Sequence, residues 1–159
     1  MVIKLQEELP AVEGLLAGVD EAGRGPLVGN VVAAAVILDK NIPIVGLADS
    51  KKLSAQRREQ LAAQIRDDAI AWTVVSVDSE QIDSINILQA TMLAMQQAVE
   101  QLSVRPDHVF IDGNRCPQVN SPATAIIKWD ARGAASSAAS SGARVERDAR
   151  VRDLHRAGR

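Results

Sequence analysis

Three short apolar segments of this chain each end in an aspartate: LLAGVD (15–20), HVFID (108–112) and AIIKWD (125–130). Apolar runs of this length, bounded by turn-forming residues, are typical of buried β-strands. A carboxylate at the end of such a strand is costly to bury unless a cation or a hydrogen-bond donor compensates it. The sequence therefore predicts a sheet that carries several acids at its strand ends.

Two further apolar runs, VVAAAVIL (31–38) and AWTVVSV (71–77), add strands to this sheet. Only the turn-forming EAGRGPLVGN separates residues 15–20 from residues 31–38, so these two strands are expected to lie side by side. Two early neighbouring strands, followed by alternating helices and strands, indicate an α/β domain with a mixed sheet.

Two helices are predicted between the strands. Ser54 can cap the first helix, which has Leu61 and Ile65 on one face. The second helix has apolar side chains that recur at intervals of four and three residues, at Leu88, Met92, Met95, Val99 and Leu102. We interpret this stripe as a core face rather than as a cofactor or partner surface.

The composition excludes several classes of protein. Cys116 is the only cysteine, which rules out an internal disulfide and any zinc site built from paired thiolates, and favours a reducing compartment, here the cytoplasm. No apolar run approaches the roughly 18 residues that a membrane span requires, and the N-terminus lacks a signal-peptide pattern. Neither membrane insertion nor secretion is expected.

The charges are divided unevenly along the chain. Residues 131–159 hold seven Arg and three acids, a net charge of +4, so the total of −2 leaves −6 for residues 1–130. An acidic body does not offer the broad basic face that neutralises many phosphates at once. Any contact with nucleic acid is therefore expected to be local.

Four acids stand at the three strand ends: Asp20, Glu21, Asp112 and Asp130. No histidine or cysteine joins them in a ligand pattern, since His108 lies inside a strand and is interpreted as structural, so the set suits Mg²⁺ or Mn²⁺ better than zinc. Carboxylates that hold such ions are suited to phosphodiester hydrolysis. Taken alone, Asp20 and Glu21 fit a solvated surface turn better, and the second strand-end acid, Asp112, is what favours a site.

Basic residues accompany the acids. Arg24 follows the first acidic pair, and the segment DSKKLS (49–54) offers Ser50, Lys51 and Lys52 for phosphate. The two lysines also fit an ordinary solvated helix start, and this alternative stays open.

Four motifs in order resemble ribonuclease HII: GVDEAGRGPLVG (18–29), LADSKKLS (47–54), INILQATMLAM (85–95) and IDGNRCP (111–117). The resemblance runs from about residue 15 to residue 130 and so covers most of the chain. It implies the ribonuclease H-like fold, in which helices flank a central mixed β-sheet.

The resemblance also implies roles for individual residues. The metal-binding acids of the family, which also make up its catalytic set, fall on Asp20, Glu21, Asp112 and Asp130. Its GRG element, which recognises the ribose 2′-hydroxyl at an RNA-to-DNA junction, falls on Gly23, Arg24 and Gly25. The implied cofactor is Mn²⁺ or Mg²⁺, and the implied partner is an RNA·DNA hybrid or a duplex DNA that contains ribonucleotides. We expect the chain to act as a monomer.

The C-terminal part departs from the family pattern. After Asp130 the chain keeps a Ser-Ala-Ala-Ser core (137–140) and the pair Arg147 and Asp148, but small or polar residues surround them, and the chain has no Tyr to match the family's substrate-contacting tyrosine. We therefore divide the chain into a catalytic domain, residues 1–130, and a divergent Ala/Ser/Arg-rich segment, residues 131–159. The segment has few large apolar side chains and is expected to be poorly ordered.

The leading hypothesis is an endonuclease that hydrolyses the RNA strand of hybrids and cleaves on the 5′ side of single ribonucleotides embedded in duplex DNA. One alternative is a catalytically inactive remnant that keeps the fold and binds nucleic acid, favoured by Trp129, which stands where the family has glycine before the last catalytic aspartate. Another is an α/β protein that uses the acids for metal-dependent phosphate chemistry on small molecules. The GRG and DSKKLS elements count against this last alternative.

Overall fold

The structure, a computed structural model, describes the backbone of residues 2–5, 14–22, 31–39, 41–42, 44, 54–78, 86–112, 116–127 and 142–152. At residues 2–5, 22, 55, 87, 112, 126 and 127 it describes the backbone alone.

Within these ranges six strands form one mixed sheet: β1 (Val2–Leu5), β2 (Leu16–Ala22), β3 (Val31–Ile37), β4 (Ala71–Val77), β5 (His108–Asp112) and β6 (Ala123–Ile127). Their order across the sheet is β1-β6-β5-β2-β3-β4. Strand β3 runs antiparallel to both of its neighbours, β2 and β4, whereas β2, β5, β6 and β1 run parallel to one another. The sheet confirms the predicted fold class.

Three helices flank the sheet in the described part of the chain: α1 (Ala55–Asp68), α2 (Ile87–Glu100) and α3, which spans residues 142–152. The Ser54 hydroxyl accepts a hydrogen bond from the Arg57 N–H at 3.1 Å, so the predicted cap of α1 is confirmed. None of these helices is long and apolar enough to span a lipid bilayer.

The predicted strands agree with the observed ones, with one shift and one omission. The last strand begins at Ala123 rather than at Ala125 and is described as far as Ile127. Strand β1 was not predicted, because four residues with a lysine among them carry too little apolar periodicity to be told from a loop. In the second helix Leu88 is exposed, so the predicted stripe is a core face only from Met92 onward.

Strand β3, which lies between β2 and β4, is buried on both of its faces. One face, with Ala33, Ala35 and Ile37, packs in a core that includes α2. The other face, with Ala34 and Val36, packs in a second core with α1 and α3. Two helical layers therefore enclose the sheet, and β2 lies beside this doubly covered strand.

Part of the C-terminal segment is structured, contrary to the expectation of poor order for residues 131–159. The described residues 142–152 are helical, and Ala143, Val145 and Ala149 are buried in the second core. The helix needs few large apolar side chains because Leu61 and the other residues of α1 in this core supply the bulk. A Cβ at Gly142 would lie only 3.3 Å from Cγ1 of Val36, so glycine allows the close approach of α3 to β3. The boundary at residue 130 stays a prediction.

The packing of α3 can be tested with two matched substitutions. Val145→Ala removes two fully buried methyl groups and is expected to lower the free energy of unfolding by about 2 kcal/mol. Val151→Ala changes the same side chain in the same helix where it is only partly buried, and is expected to cost less than half as much. Equal urea midpoints for the two variants would show that α3 does not pack on the sheet as described.

Candidate active site

Two of the predicted acids follow paired residues on neighbouring strands. Val19 of β2 pairs with Ile111 of β5 in parallel register. The next residues, Asp20 and Asp112, therefore lie side by side near the carboxyl ends of these two strands. Neighbouring strands are about 4.8 Å apart. The side chain of Asp112 and the whole of Asp130 lie outside the described residues, and their part in the site stays a prediction.

Asp20 carries a buried carboxylate, with only 5 % of the residue exposed. It pairs with Ala34 of β3, whose side chain lies in the second core, so Asp20 faces the layer that contains α3. Its Oδ1 accepts a hydrogen bond from the Glu21 N–H at 2.8 Å. Its Oδ2 lies 3.4 Å from Nε of Arg144 and 3.5 Å from Nη1 of Arg147.

Glu21 is the neighbour of Asp20 in sequence and lies one residue before the end of β2 at Ala22. It pairs regularly with Ala33, whose side chain belongs to the first core, so the strand register assigns the two acids to opposite faces. Both acids could reach one site because the strand ends here. The carbonyl oxygen of Glu21 accepts a hydrogen bond from Nη1 of Arg147 at 2.9 Å, which ties this strand end to α3.

Arg147 is the centre of a row of alternating charges. Its Nε and Nη2 donate to Oδ1 of Asp148 at 3.0 and 2.8 Å, and Oδ2 of Asp148 lies 3.5 Å from Nη1 of Arg58 in α1. Burial alone would lower the pKa of the Arg147 guanidinium, but the carboxylates of Asp20, Asp148 and Glu21 outweigh burial and raise it above its ordinary value. The guanidinium therefore keeps its positive charge, as arginine does in proteins generally.

Further ion pairs join α3 to α1. Nε of Arg66 lies 3.1 Å from Oε2 of Glu146, and Nε of Arg152 lies 3.2 Å from Oε1 of Glu59. Glu146 is fully buried, and within the described chain its Oε1 has no hydrogen-bond partner. Burial raises the pKa of the Glu146 carboxyl, although Arg66 and Arg150 act in the opposite direction.

The described side chains do not by themselves assemble a metal centre. Among them, no three His, Cys, Asp or Glu residues approach closely enough to hold an ion. Asp20 and Glu21 supply only oxygen donors, so this part of the predicted set fits a hard cation.

The predicted substrate-contacting residues lie outside the described part of the chain. Gly23, Arg24 and Gly25 follow β2 directly but lie outside the described residues. Ser50, Lys51 and Lys52, shortly before α1, lie outside them as well.

His108 lies at the opposite end of β5 from Asp112. Its Nε2 is 2.8 Å from the hydroxyl of Thr124, its ring lies against Phe110, and burial lowers its pKa. These contacts fit the structural role expected from the sequence.

A mixed sheet of this order, covered by helices on both faces and carrying acids at the carboxyl ends of its parallel strands, defines a ribonuclease H-like protein. The structure is similar to ribonuclease H2 from Pyrococcus horikoshii OT3, with a TM-score of 0.68, 28% identity, and coverage of 90% of this chain and 76% of that one. Residues 17–159 match the family model described as ribonuclease HII, and the chain belongs to this family. The match continues through residues 131–159, which the sequence analysis set apart.

Two more distant solved structures share the fold. One is ribonuclease HII from Archaeoglobus fulgidus, solved in a complex with PCNA, with a TM-score of 0.69, 24% identity, and coverage of 89% of this chain and 75% of that one. The other is Bst ribonuclease HIII, solved in complex with Mn²⁺, with a TM-score of 0.69, 22% identity, and coverage of 90% of this chain and 55% of that one.

Sequence reasoning missed Arg144 and gave Arg147 no role beyond its resemblance to a family pair. The available signal was the spacing Arg-x-x-Arg, which places both guanidinium groups on one face of a helix. The outcome is that both arginines approach the predicted metal ligand Asp20.

The buried Glu146 carboxyl generates a pH-dependent prediction. A carboxyl whose pKa is higher in the folded protein than in the unfolded chain stabilises the folded state at pH values below its ordinary pKa of 4.5. This stabilisation is lost as the pH rises through the pKa of the carboxyl in the folded protein. Glu146→Gln removes the buried charge and leaves Arg66, which is 41% exposed, to be solvated by water. The variant is expected to unfold at a higher urea concentration than the wild type at neutral pH, and this advantage should shrink as the pH falls to 4.5.

The matched control is Glu59→Gln, which breaks an ion pair between the same two helices at a side chain that is 44% exposed. It should change stability little at either pH. A Glu146→Gln variant that is less stable than the wild type at neutral pH would mean that the ion pair with Arg66 outweighs the cost of burial.

Proposed function

We propose that the chain is an endonuclease that hydrolyses the RNA strand of RNA·DNA hybrids and cleaves on the 5′ side of single ribonucleotides embedded in duplex DNA, with Mn²⁺ or Mg²⁺ as cofactor. Membership of the ribonuclease HII family supports a ribonuclease H activity. The single observation that carries the proposal is the position of Asp20 and Asp112, side by side at the carboxyl ends of two parallel strands. Ligands of α/β proteins bind outside the carboxyl ends of the parallel strands.

In this proposal the acids act as cation ligands. Asp20, Glu21 and Asp112 would hold the cation from β2 and β5, and Asp130 would join them from the chain that follows β6. A divalent cation bound there would lower the pKa of water and stabilise the leaving oxygen. The contribution of the protein is to fix these oxygens: β2 and β5 are held in register, and Arg147 holds the carbonyl of Glu21.

Recognition of RNA is assigned to the segment after β2. Gly23 and Gly25 would let the backbone approach the ribose, and Arg24 would lie between the acids and the phosphates. Ser50, Lys51 and Lys52, before α1, would contact the phosphate backbone. The 2′-hydroxyl is the group that separates RNA from DNA at a given position.

The inactive remnant remains the second candidate, because Trp129 stands next to Asp130 where the family has glycine. A tryptophan in the place of glycine requires space that a packed interior rarely has, and overpacking typically costs about 1–3 kcal/mol. A cleavage assay on the chain as it stands separates the two candidates, since the remnant would bind a hybrid without cutting it.

The site assignment is tested by removing single carboxylates. Asp20→Asn and Asp112→Asn are each expected to abolish Mn²⁺-dependent cleavage of a labelled RNA·DNA hybrid, because each loses a charged cation ligand. The exposed Asp67→Asn in α1 serves as the control and should leave cleavage unchanged. Full activity in either strand-end variant would remove that residue from the proposed site.

Metal exchange tests the hard-ligand character of the site. EDTA is expected to remove all cleavage, and Mn²⁺ or Mg²⁺ added in excess should restore it, whereas Zn²⁺ should not, because the predicted ligands are all oxygens. The measurement is the initial rate of hybrid cleavage after each addition. Complete restoration by Zn²⁺ would count against a cluster of carboxylates.

A further inference from the structure

We propose that Arg144 and Arg147 are built-in counter-ions of the Asp20 carboxylate, and that they compete with the divalent cation for it. The inference rests on the proposed function in one respect, because it takes Asp20 as a cation ligand. Its consequence is that cation binding at the strand end and docking of α3 on the sheet oppose each other.

The geometry places two positive charges on one buried acid. Nε of Arg144 and Nη1 of Arg147 lie 3.4 and 3.5 Å from the same oxygen, Oδ2 of Asp20. The three side chains are 14%, 19% and 6% exposed, so water screens these charges poorly. Arginine does not lose its proton in proteins, so both counter-ions are permanent.

Arg147 is held rigidly in this position. Asp148 accepts hydrogen bonds from two N–H groups of Arg147, and the carbonyl of Glu21 accepts a third. Asp148 is itself paired with Arg58 of α1. A guanidinium that is fixed on three sides cannot move far when a cation approaches Asp20. It therefore stays close to the incoming positive charge.

The direction of the effect follows from the size of the charges. A divalent cation bound by Asp20 would lie within a few ångströms of two guanidinium groups in a weakly screened environment, where repulsion between like charges is strong. Arg147 also favours cation binding, because its hydrogen bond to the carbonyl of Glu21 orders the end of β2. The free energy of this one hydrogen bond is smaller than the repulsion between the charges. Removal of a guanidinium should therefore strengthen cation binding, although it leaves the metal-free protein with a less compensated buried carboxylate.

Titration calorimetry with Mn²⁺ alone, without nucleic acid, tests this in Arg144→Gln and Arg147→Gln. Each is expected to bind Mn²⁺ roughly tenfold more tightly than the wild type, the scale of coupling between close and poorly screened charges. Each should also unfold at a lower urea concentration in EDTA. Arg147→Lys keeps the charge and should bind Mn²⁺ like the wild type. The control is Arg152→Gln, in the same helix but paired with Glu59, and it should leave Mn²⁺ affinity unchanged.

Weaker Mn²⁺ binding by Arg147→Gln would make Arg147 a positioning residue and overturn the proposal, as would affinities equal to that of the wild type. Failure of the proposed function would look different: the wild type would bind no Mn²⁺ and cleave no hybrid, and the competition would then be refuted with it.

The counter-ion contact is tested separately in EDTA, where Arg147→Gln should cost less stability in an Asp20→Asn background than in the wild type. Equal costs would refute that contact.

Discussion

Asp20 carries a negative charge into the interior at the end of a central strand, and the surrounding structure is arranged to compensate it. Within the described part of the chain, the carboxylate accepts a hydrogen bond from a backbone N–H and faces two guanidinium groups from a helix that is distant in sequence. A buried charge without such partners would be strongly destabilising. The position of α3 over the sheet and the integrity of the strand end are therefore linked through this single acid.

The same requirement explains how a segment with few large apolar side chains can belong to the fold. Helix α3 buries only small or medium apolar residues, and α1 and β3 supply the bulk of the shared core. Its charged side chains pair with Glu59, Arg58 and Arg66 of α1 on one side and with Asp20 on the other. The pairing with Asp20 thus supplements a small apolar contact, and it also brings positive charge to the proposed cation site.

Much of the fold could be predicted from the sequence because its signals are local. The strand patterns, the Ser54 cap and the stripe of α2 all depend on residues close together in the chain. The acids were predicted from their position at strand ends, and the parallel register of β2 and β5 places Asp20 beside Asp112. The role of Arg144 could not be predicted, because its partner is 124 residues away and only tertiary packing brings them together.

The central claim is that acids at adjacent strand ends form a cation-dependent site for cutting at ribonucleotides. The most direct measurement is incubation of the wild-type chain with Mn²⁺ and a duplex DNA that contains one ribonucleotide, beside the same duplex without it. We predict a single cut on the 5′ side of the ribonucleotide and no cut in the all-DNA duplex. Equal cutting of both duplexes, or an intact ribonucleotide strand, would contradict the claim.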